Sequence, residues 1–139
     1  MNQFDHEKLD VYQTAIEFVA LADEVVERLP RGRAYLADQL QRAATSVPLN
    51  IAEGAGEFAP REKGRFYRMA RRSATESAAV LDVCRRLGLT EQERYAAGRE
   101  LLLRLVAMLT QMARRMGESG TGTGTGSGTA GPSASTSVR

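Results

Sequence analysis

A seven-residue apolar repeat near the amino end limits most tightly how this chain can fold. Apolar side chains recur there without a break, at Val11, Ala15, Phe18, Ala22, Val25 and Leu29. Alternating spacings of four and three residues put all of them on one side of an α-helix. A helix with such a side must bury it against other helices. The repeat therefore predicts an all-α protein whose first helix covers about residues 6–29.

A second apolar stripe runs beside the first and widens the buried side of this helix. Its members are Leu9, Tyr12, Ile16, Val19 and Val26. The combined surface is broader than the seam between two helices requires. Two interpretations stay open: a broad face within a four-helix core, or an additional contact with another subunit.

Three further segments repeat the helical spacing and are separated by turn residues. The second helix is predicted over about residues 33–54, with a kink at Pro48 because proline removes a hydrogen bond to the helix. Gly54 and Gly56 are expected to end it through positive φ angles. The third and fourth helices are predicted over about residues 60–87 and 91–116. Short connections favour antiparallel neighbours, so the fold class is an up-down-up-down four-helix bundle.

Composition changes abruptly after Met116. Residues 117–139 are rich in Gly, Thr and Ser, and Val138 is their only large apolar residue. Such a segment buries too little apolar surface to offset its chain entropy, so a disordered tail is predicted over 117–139. Residues 1–116 are therefore expected to contain the whole folded domain.

The sequence also predicts a cytoplasmic protein without membrane contact. No apolar run approaches the roughly 20 residues that a membrane-spanning helix needs. The first eight residues are too polar for a signal peptide. The single cysteine, Cys84, has no second thiol for a disulfide, and a buried apolar role is expected for it.

Charge is unevenly distributed, although the formal net charge is only +2. Residues 1–29 hold seven acids and two bases, whereas residues 60–87 hold three acids and eight bases. Helical geometry places five bases of the third helix on one stripe with two more at its flanks: Arg61, Arg65, Arg68, Arg72 and Arg86, flanked by Arg71 and Lys63. The opposite face is expected to be buried and consists of Phe66, Met69, Ala70, Ser73, Ser77, Val80, Cys84 and Leu87.

Two interpretations of the basic stripe remain open. Arginines on one helical face can follow the phosphates of a nucleic acid, which predicts binding to RNA or DNA. No aromatic ladder or groove-reading element accompanies them, so recognition should be directed at backbone or shape. Alternatively, the acidic first helix pairs with the basic third helix, within one chain or between subunits, and the protein is an interaction scaffold.

Catalytic and cofactor-binding patterns are missing from the sequence. A di-iron bundle would need Glu-x-x-His pairs, but the only histidine is His6, so no metal is expected. Glu53 and Glu76 could lie on adjacent helices, yet a carboxylate pair without a pocket is weak support for acid-base chemistry. The sequence thus predicts a protein that is not an enzyme, with no catalytic residue and no cofactor.

The segment Ser46-Val47-Pro48-Leu49-Asn50-Ile51-Ala52-Glu53-Gly54 closely resembles a known family motif. The chain is similar there to the four-helix-bundle proteins called 23S rRNA intervening-sequence proteins, or S23. The resemblance continues in Leu9-Asp10-Val11-Tyr12-Gln13 and in Ala70-Arg71-Arg72-Ser73 with Glu76. The accessory variability proteins of diversity-generating retroelements are related to the same family.

This resemblance implies a homopentamer of four-helix bundles that binds nucleic acid and has a possible protein partner such as a reverse transcriptase. The motif residues are assigned to the fold: Arg42, Pro48, Asn50, Glu53, Gly54, Gly56, Ser73 and Glu76. Among them, Asn50, Glu53, Ser73 and Glu76 are expected to join the second and third helices through buried hydrogen bonds.

Overall fold

The computed structural model describes residues 2–122, with side chains through residue 118. It contains the α-helices α1 (Asp10–Glu27), α2 (Ala34–Ala55), α3 (Pro60–Arg86) and α4 (Gln92–Gly122). Short 3₁₀ helices, Asp5–Lys8 and Arg31–Arg33, precede α1 and α2. Each helix packs against the next one along the chain, and α4 packs back against α1. The predicted four-helix bundle is thereby confirmed.

Contacts between α1 and α4 show their antiparallel register. Arg94, near the start of α4, lies 3.3 Å from Glu24, near the end of α1. Further along α4, Arg104 donates a hydrogen bond of 3.4 Å to the Thr14 hydroxyl. As residue numbers rise in α4 they fall in α1, which is the arrangement that short connections favour.

The core consists of the apolar repeat of α1 and of matching residues from the other helices. Val11, Ala15, Phe18, Ala22 and Val25 are all buried, as the repeat predicts. They pack in one cluster with the largest buried aliphatic residues of α2, α3 and α4: Leu40, Ile51, Leu81, Leu102, Leu105 and Leu109. Burial of this apolar surface is the main force that holds the helices together.

Three helix ends differ from the sequence prediction. The α1 helix begins at Asp10 rather than near residue 6, because Leu9 has extended backbone angles, and it ends at Glu27. The α4 helix continues past the predicted end at Met116 to Gly122. A helix that is already formed adds further turns at little cost, even without apolar residues to bury. The rest of the predicted tail, 123–139, lies outside the described residues.

The end of α2 is shaped by close packing against α3. Pro48 is buried inside α2, and the kink expected there stays a prediction. A Cβ atom at Gly54 would lie only 2.7 Å from Cε1 of Tyr67, so α3 approaches too closely for any side chain. The predicted positive φ is wrong for Gly56, whose φ is −85°. Among residues 2–122 only Gly88, after α3, has a positive φ, of 74°.

Candidate nucleic-acid interface

The arginines of α3 lie on the exposed side of the helix. Arg61, Arg65, Arg68, Arg71, Arg72 and Arg86 are all exposed. Tyr67, Ala70, Ala74 and Leu81 on the other side of α3 are buried in the bundle. The wheel prediction is therefore confirmed for the arginines.

The predicted buried side of α3 is rotated relative to the observed one. Half of the predicted face is buried, as expected: Ala70, Ser77, Val80 and Cys84. Leu87 is exposed and Phe66, Met69 and Ser73 are only partly buried, whereas Tyr67, Ala74 and Leu81 reach the core. Because α3 has few large apolar residues, its wheel alone does not fix which edge faces inward. The packing of Tyr67 against Gly54 sets the orientation.

The exposed arginines divide into one cluster and one separate residue. Arg61, Arg65, Arg68 and Arg72 follow one another at intervals of three or four residues over about 16 Å of helix. We call these four residues the basic face; Arg71 flanks it. Arg86 lies about 21 Å beyond Arg72 along the same helix. Thr75 and Ala79, both exposed, occupy the gap. The stripe therefore carries one cluster of four arginines and a distant fifth.

Few acidic side chains neutralise the basic face. Arg65 forms an ion pair of 3.0 Å with Glu62, in which both side chains are about half exposed. Its guanidinium also lies 4.6 Å from the centre of the Phe66 ring. An exposed pair of this kind contributes little and can be exchanged for a phosphate. Arg61, Arg68 and Arg72 have no ion pair in the part of the chain that the structure describes.

Lys63 does not belong to the nucleic-acid surface, contrary to the sequence prediction. Its ammonium group donates hydrogen bonds of 3.2 Å and 3.0 Å to the carbonyl oxygens of Gly54 and Ala55. These carbonyls stand at the end of α2, where helical partners are missing and the helix dipole favours a cation. Lys63 therefore caps α2, the role that the sequence assigned to glycines in positive φ.

The acidic α1 does not neutralise α3 within one chain. The two helices lie diagonally across the bundle, each between α2 and α4. The ion pairs of α1 among residues 2–118 are made with α4, through Glu24 and Arg94. Asp10, Glu17, Asp23 and Glu27 are exposed. Intramolecular pairing of the first and third helices, one of the two forms considered from the sequence, is therefore not observed among the described residues.

Polar residues of the family motif join α2 to α3. The hydroxyl groups of Ser46 and Ser73 share a hydrogen bond of 2.8 Å. Asn50 is 8% exposed and donates from its amide nitrogen to the backbone oxygen of Ser46 at 2.9 Å and to its hydroxyl at 3.0 Å. Ser77 donates to the backbone oxygen of Ser73 at 2.9 Å. Ser73 thus joins the two helices as predicted, whereas both hydrogen bonds of Asn50 stay within α2, and a bond from Asn50 to α3 is not observed among the described residues.

Glu53 and Glu76 do not take part in this network, so the predicted buried hydrogen bonds are wrong for them. Both are exposed, and neither makes a hydrogen bond within the described residues. Glu76 lines an open groove between α2 and α3 together with the exposed Arg42. Glu53 lines a neighbouring depression on α2. Carboxylates at these positions keep their hydration, which removes the need for a protein partner.

Two further observations concern metals and membranes. No group of three or more His, Cys, Asp or Glu side chains among the described residues is arranged to hold a metal ion. None of the helices within residues 2–122 combines the length and the apolar character that crossing a bilayer demands.

Burial raises the pKa of the Cys84 thiol, which keeps this thiol in its unreactive, protonated form.

The fold and the surface together define a class: a four-helix-bundle protein whose third helix presents arginines outward and is joined to the second by a serine and asparagine network. The sequence model of the 23S rRNA-intervening sequence protein family matches residues 7–111, from the first 3₁₀ helix into α4. The chain belongs to this family. A search of curated proteins gave no match.

Proposed function

We propose that this protein is a non-enzymatic homo-oligomer that binds structured RNA or DNA through the basic face of α3. The observation that carries the proposal is the exposure of four closely spaced arginines, of which only Arg65 has an acidic partner among the described residues. Guanidinium groups bind phosphate with directed, charge-assisted hydrogen bonds. Family membership agrees with a connection to RNA but does not by itself assign a ligand.

The proposed recognition is directed at the phosphate backbone. The exposed side chains of the basic face are all arginines, whose guanidinium groups suit phosphate oxygens, and the sequence carries no motif of a groove-reading helix. Phe66 is partly buried and lies beneath Arg65, which leaves no row of exposed rings for stacking bases. Contacts to phosphates set affinity and orientation, and they carry no base sequence.

A homo-oligomer would multiply these contacts. Several basic faces on one particle raise the effective concentration of arginine near a long nucleic acid, so weak single contacts add up to useful avidity. The family resemblance implies five copies, and it also suggests a protein partner such as a reverse transcriptase. A cytoplasmic location is part of the proposal.

A second candidate function is a homo-oligomeric scaffold for protein interaction. The observation that favours it is the separation of charges within one chain: Asp10 and Glu17 on α1 and the basic face on α3 are all exposed and lie diagonally apart. These surfaces complement each other between two copies. In that case ion pairs between subunits would occupy the arginines and leave none for phosphates.

Binding to a labelled RNA hairpin and to duplex DNA across a salt series tests the proposal, with particle mass measured by light scattering in parallel. We expect affinity for the duplex to fall steeply with salt, with a slope of about −4 in log K against log salt for four phosphate contacts per chain. Lack of binding even at about 20 mM salt, where charges are only weakly screened, would overturn the proposal.

A further inference from the structure

Phe58, in the turn between α2 and α3, has no role in the fold of its own chain. Its side chain is 96% exposed, more than any other large apolar residue among residues 2–118. The turn follows the capped end of α2 and precedes Pro60, the first residue of α3, so its backbone is fixed on both sides. An exposed aromatic ring on a turn that is fixed at both ends is a suitable anchor for a binding partner.

A groove lies between α1 and α4, and apolar side chains form its floor: Leu9, Val11, Met108 and Met112. Asp10 and Arg115 stand at its rim. Methionine side chains adapt their shape to an inserted ring and make favourable contacts with it. The groove therefore has the chemistry to receive a phenylalanine.

The ring and the groove lie at the same end of the bundle but on opposite sides. At this end α3 begins beside the end of α4, since a Cβ atom at Gly64 would lie 3.2 Å from Cβ of Met116. The groove is built from the start of α1 and the same end of α4. Around the bundle, the seam between α2 and α3 faces away from the seam between α4 and α1. Phe58 thus cannot reach the groove of its own chain.

We propose that Phe58 of one copy inserts into the α1–α4 groove of a second copy of this chain. The two contact surfaces differ, so each copy can bind one neighbour through its ring and another through its groove, which gives a closed ring or a chain. Arg115 at the rim of the groove can pair with Glu57, which precedes Phe58, while Asp10 gives the same rim a charge of the opposite sign. The inference rests on the proposed homo-oligomer and names the contact that builds it.

Cross-linking tests the pairing directly. The variant A59C/A107C keeps Phe58 and places one thiol beside it and one at the groove, since Ala59 and Ala107 are both exposed. Cys84 is buried, so it stays unmodified. With a short bismaleimide, we expect the double variant to give a ladder of covalent multimers on a denaturing gel. Neither A59C nor A107C alone can extend beyond a dimer, and the absence of a ladder in the double variant would overturn the pairing.

Light scattering on Phe58→Ser supplies the second test. We expect the particle mass to fall to that of a single chain, with the helical circular-dichroism spectrum retained because Phe58 is exposed in its own chain. Leu103→Ser is the matched control, since Leu103 is 57% exposed on α4 and should leave assembly intact.

The outcomes separate this inference from the proposed function. An assembled wild type with an equally assembled F58S variant would overturn the Phe58 contact alone. A wild type that is monomeric at every concentration would remove both the contact and the oligomer. Nucleic-acid binding, measured on the same samples, decides the arginine proposal independently.

Discussion

Alanine at Arg65, Arg68 and Arg72 together is expected to weaken nucleic-acid binding by roughly 100- to 1,000-fold near 0.1 M salt. The loss of three phosphate contacts should also reduce the salt slope by about 3. The melting temperature should stay close to that of the wild type, because all three side chains are exposed and only Arg65 has an ion pair. Fluorescence anisotropy with a labelled duplex measures the affinity, and circular dichroism measures the stability.

The triple alanine variant of Arg28, Arg31 and Arg33 is the matched control for this prediction. It removes the same charge around the turn between α1 and α2, at the end of the bundle away from Arg61. If both triple variants lose affinity equally, net charge and not the basic face carries the binding. If the α3 variant binds normally but its oligomer already dissociates at concentrations where the wild type stays assembled, the arginines belong to a subunit interface and the scaffold function is favoured.

Alanine at Gly54 is expected to lower the free energy of unfolding by about 1–3 kcal/mol. The added methyl group would lie 2.7 Å and 2.9 Å from ring atoms of Tyr67 and 3.1 Å from Cβ of Phe66. Tyr67 is only 5% exposed, so its ring has no free space to occupy, and α2 and α3 must separate instead. This cost exceeds the roughly 1 kcal/mol that alanine gains over glycine within a helix. Urea denaturation measures the change.

Gly56 provides the control for Gly54, two residues away. A Cβ atom there would meet backbone oxygens at 3.6 Å and 3.8 Å, which is ordinary contact, and its φ of −85° suits alanine. We expect Gly56→Ala to leave stability unchanged within about 0.5 kcal/mol. Equal destabilisation by both substitutions would mean that general properties of this turn, and not the approach of Tyr67, require glycine.

The fold was predictable where apolar residues are large and regularly spaced. The α1 repeat from Val11 to Val25 indicates the buried side of that helix without knowledge of its partners, because large apolar residues recur at each turn. The burial of Asn50 and the hydrogen bond of Ser73 to the other helix also followed from the motif. Their polar groups lie where two helices touch, and such groups need partners.

The site was predictable only in part, because the direction of a side chain depends on neighbours that are distant in sequence. Lys63 and Arg61 are alike as charges, but the turn of the chain brings Lys63 alone onto the carbonyl oxygens that end α2. Glu76 and Ser73 share one edge of α3, and only Ser73 meets a hydroxyl across the seam. The groove that faces away from Phe58 arises from α1 and α4, which are far apart in sequence.

Arginine footprinting of the bound protein tests the central claim most directly. The protein is treated with phenylglyoxal in the presence and absence of duplex nucleic acid, and the modified arginines are located by mass spectrometry. The account predicts that nucleic acid protects Arg61, Arg65, Arg68 and Arg72, and that Arg28 and Arg31 react equally in both samples. If nucleic acid protects Arg28 and Arg31 but not the arginines of the basic face, the proposed binding surface is contradicted.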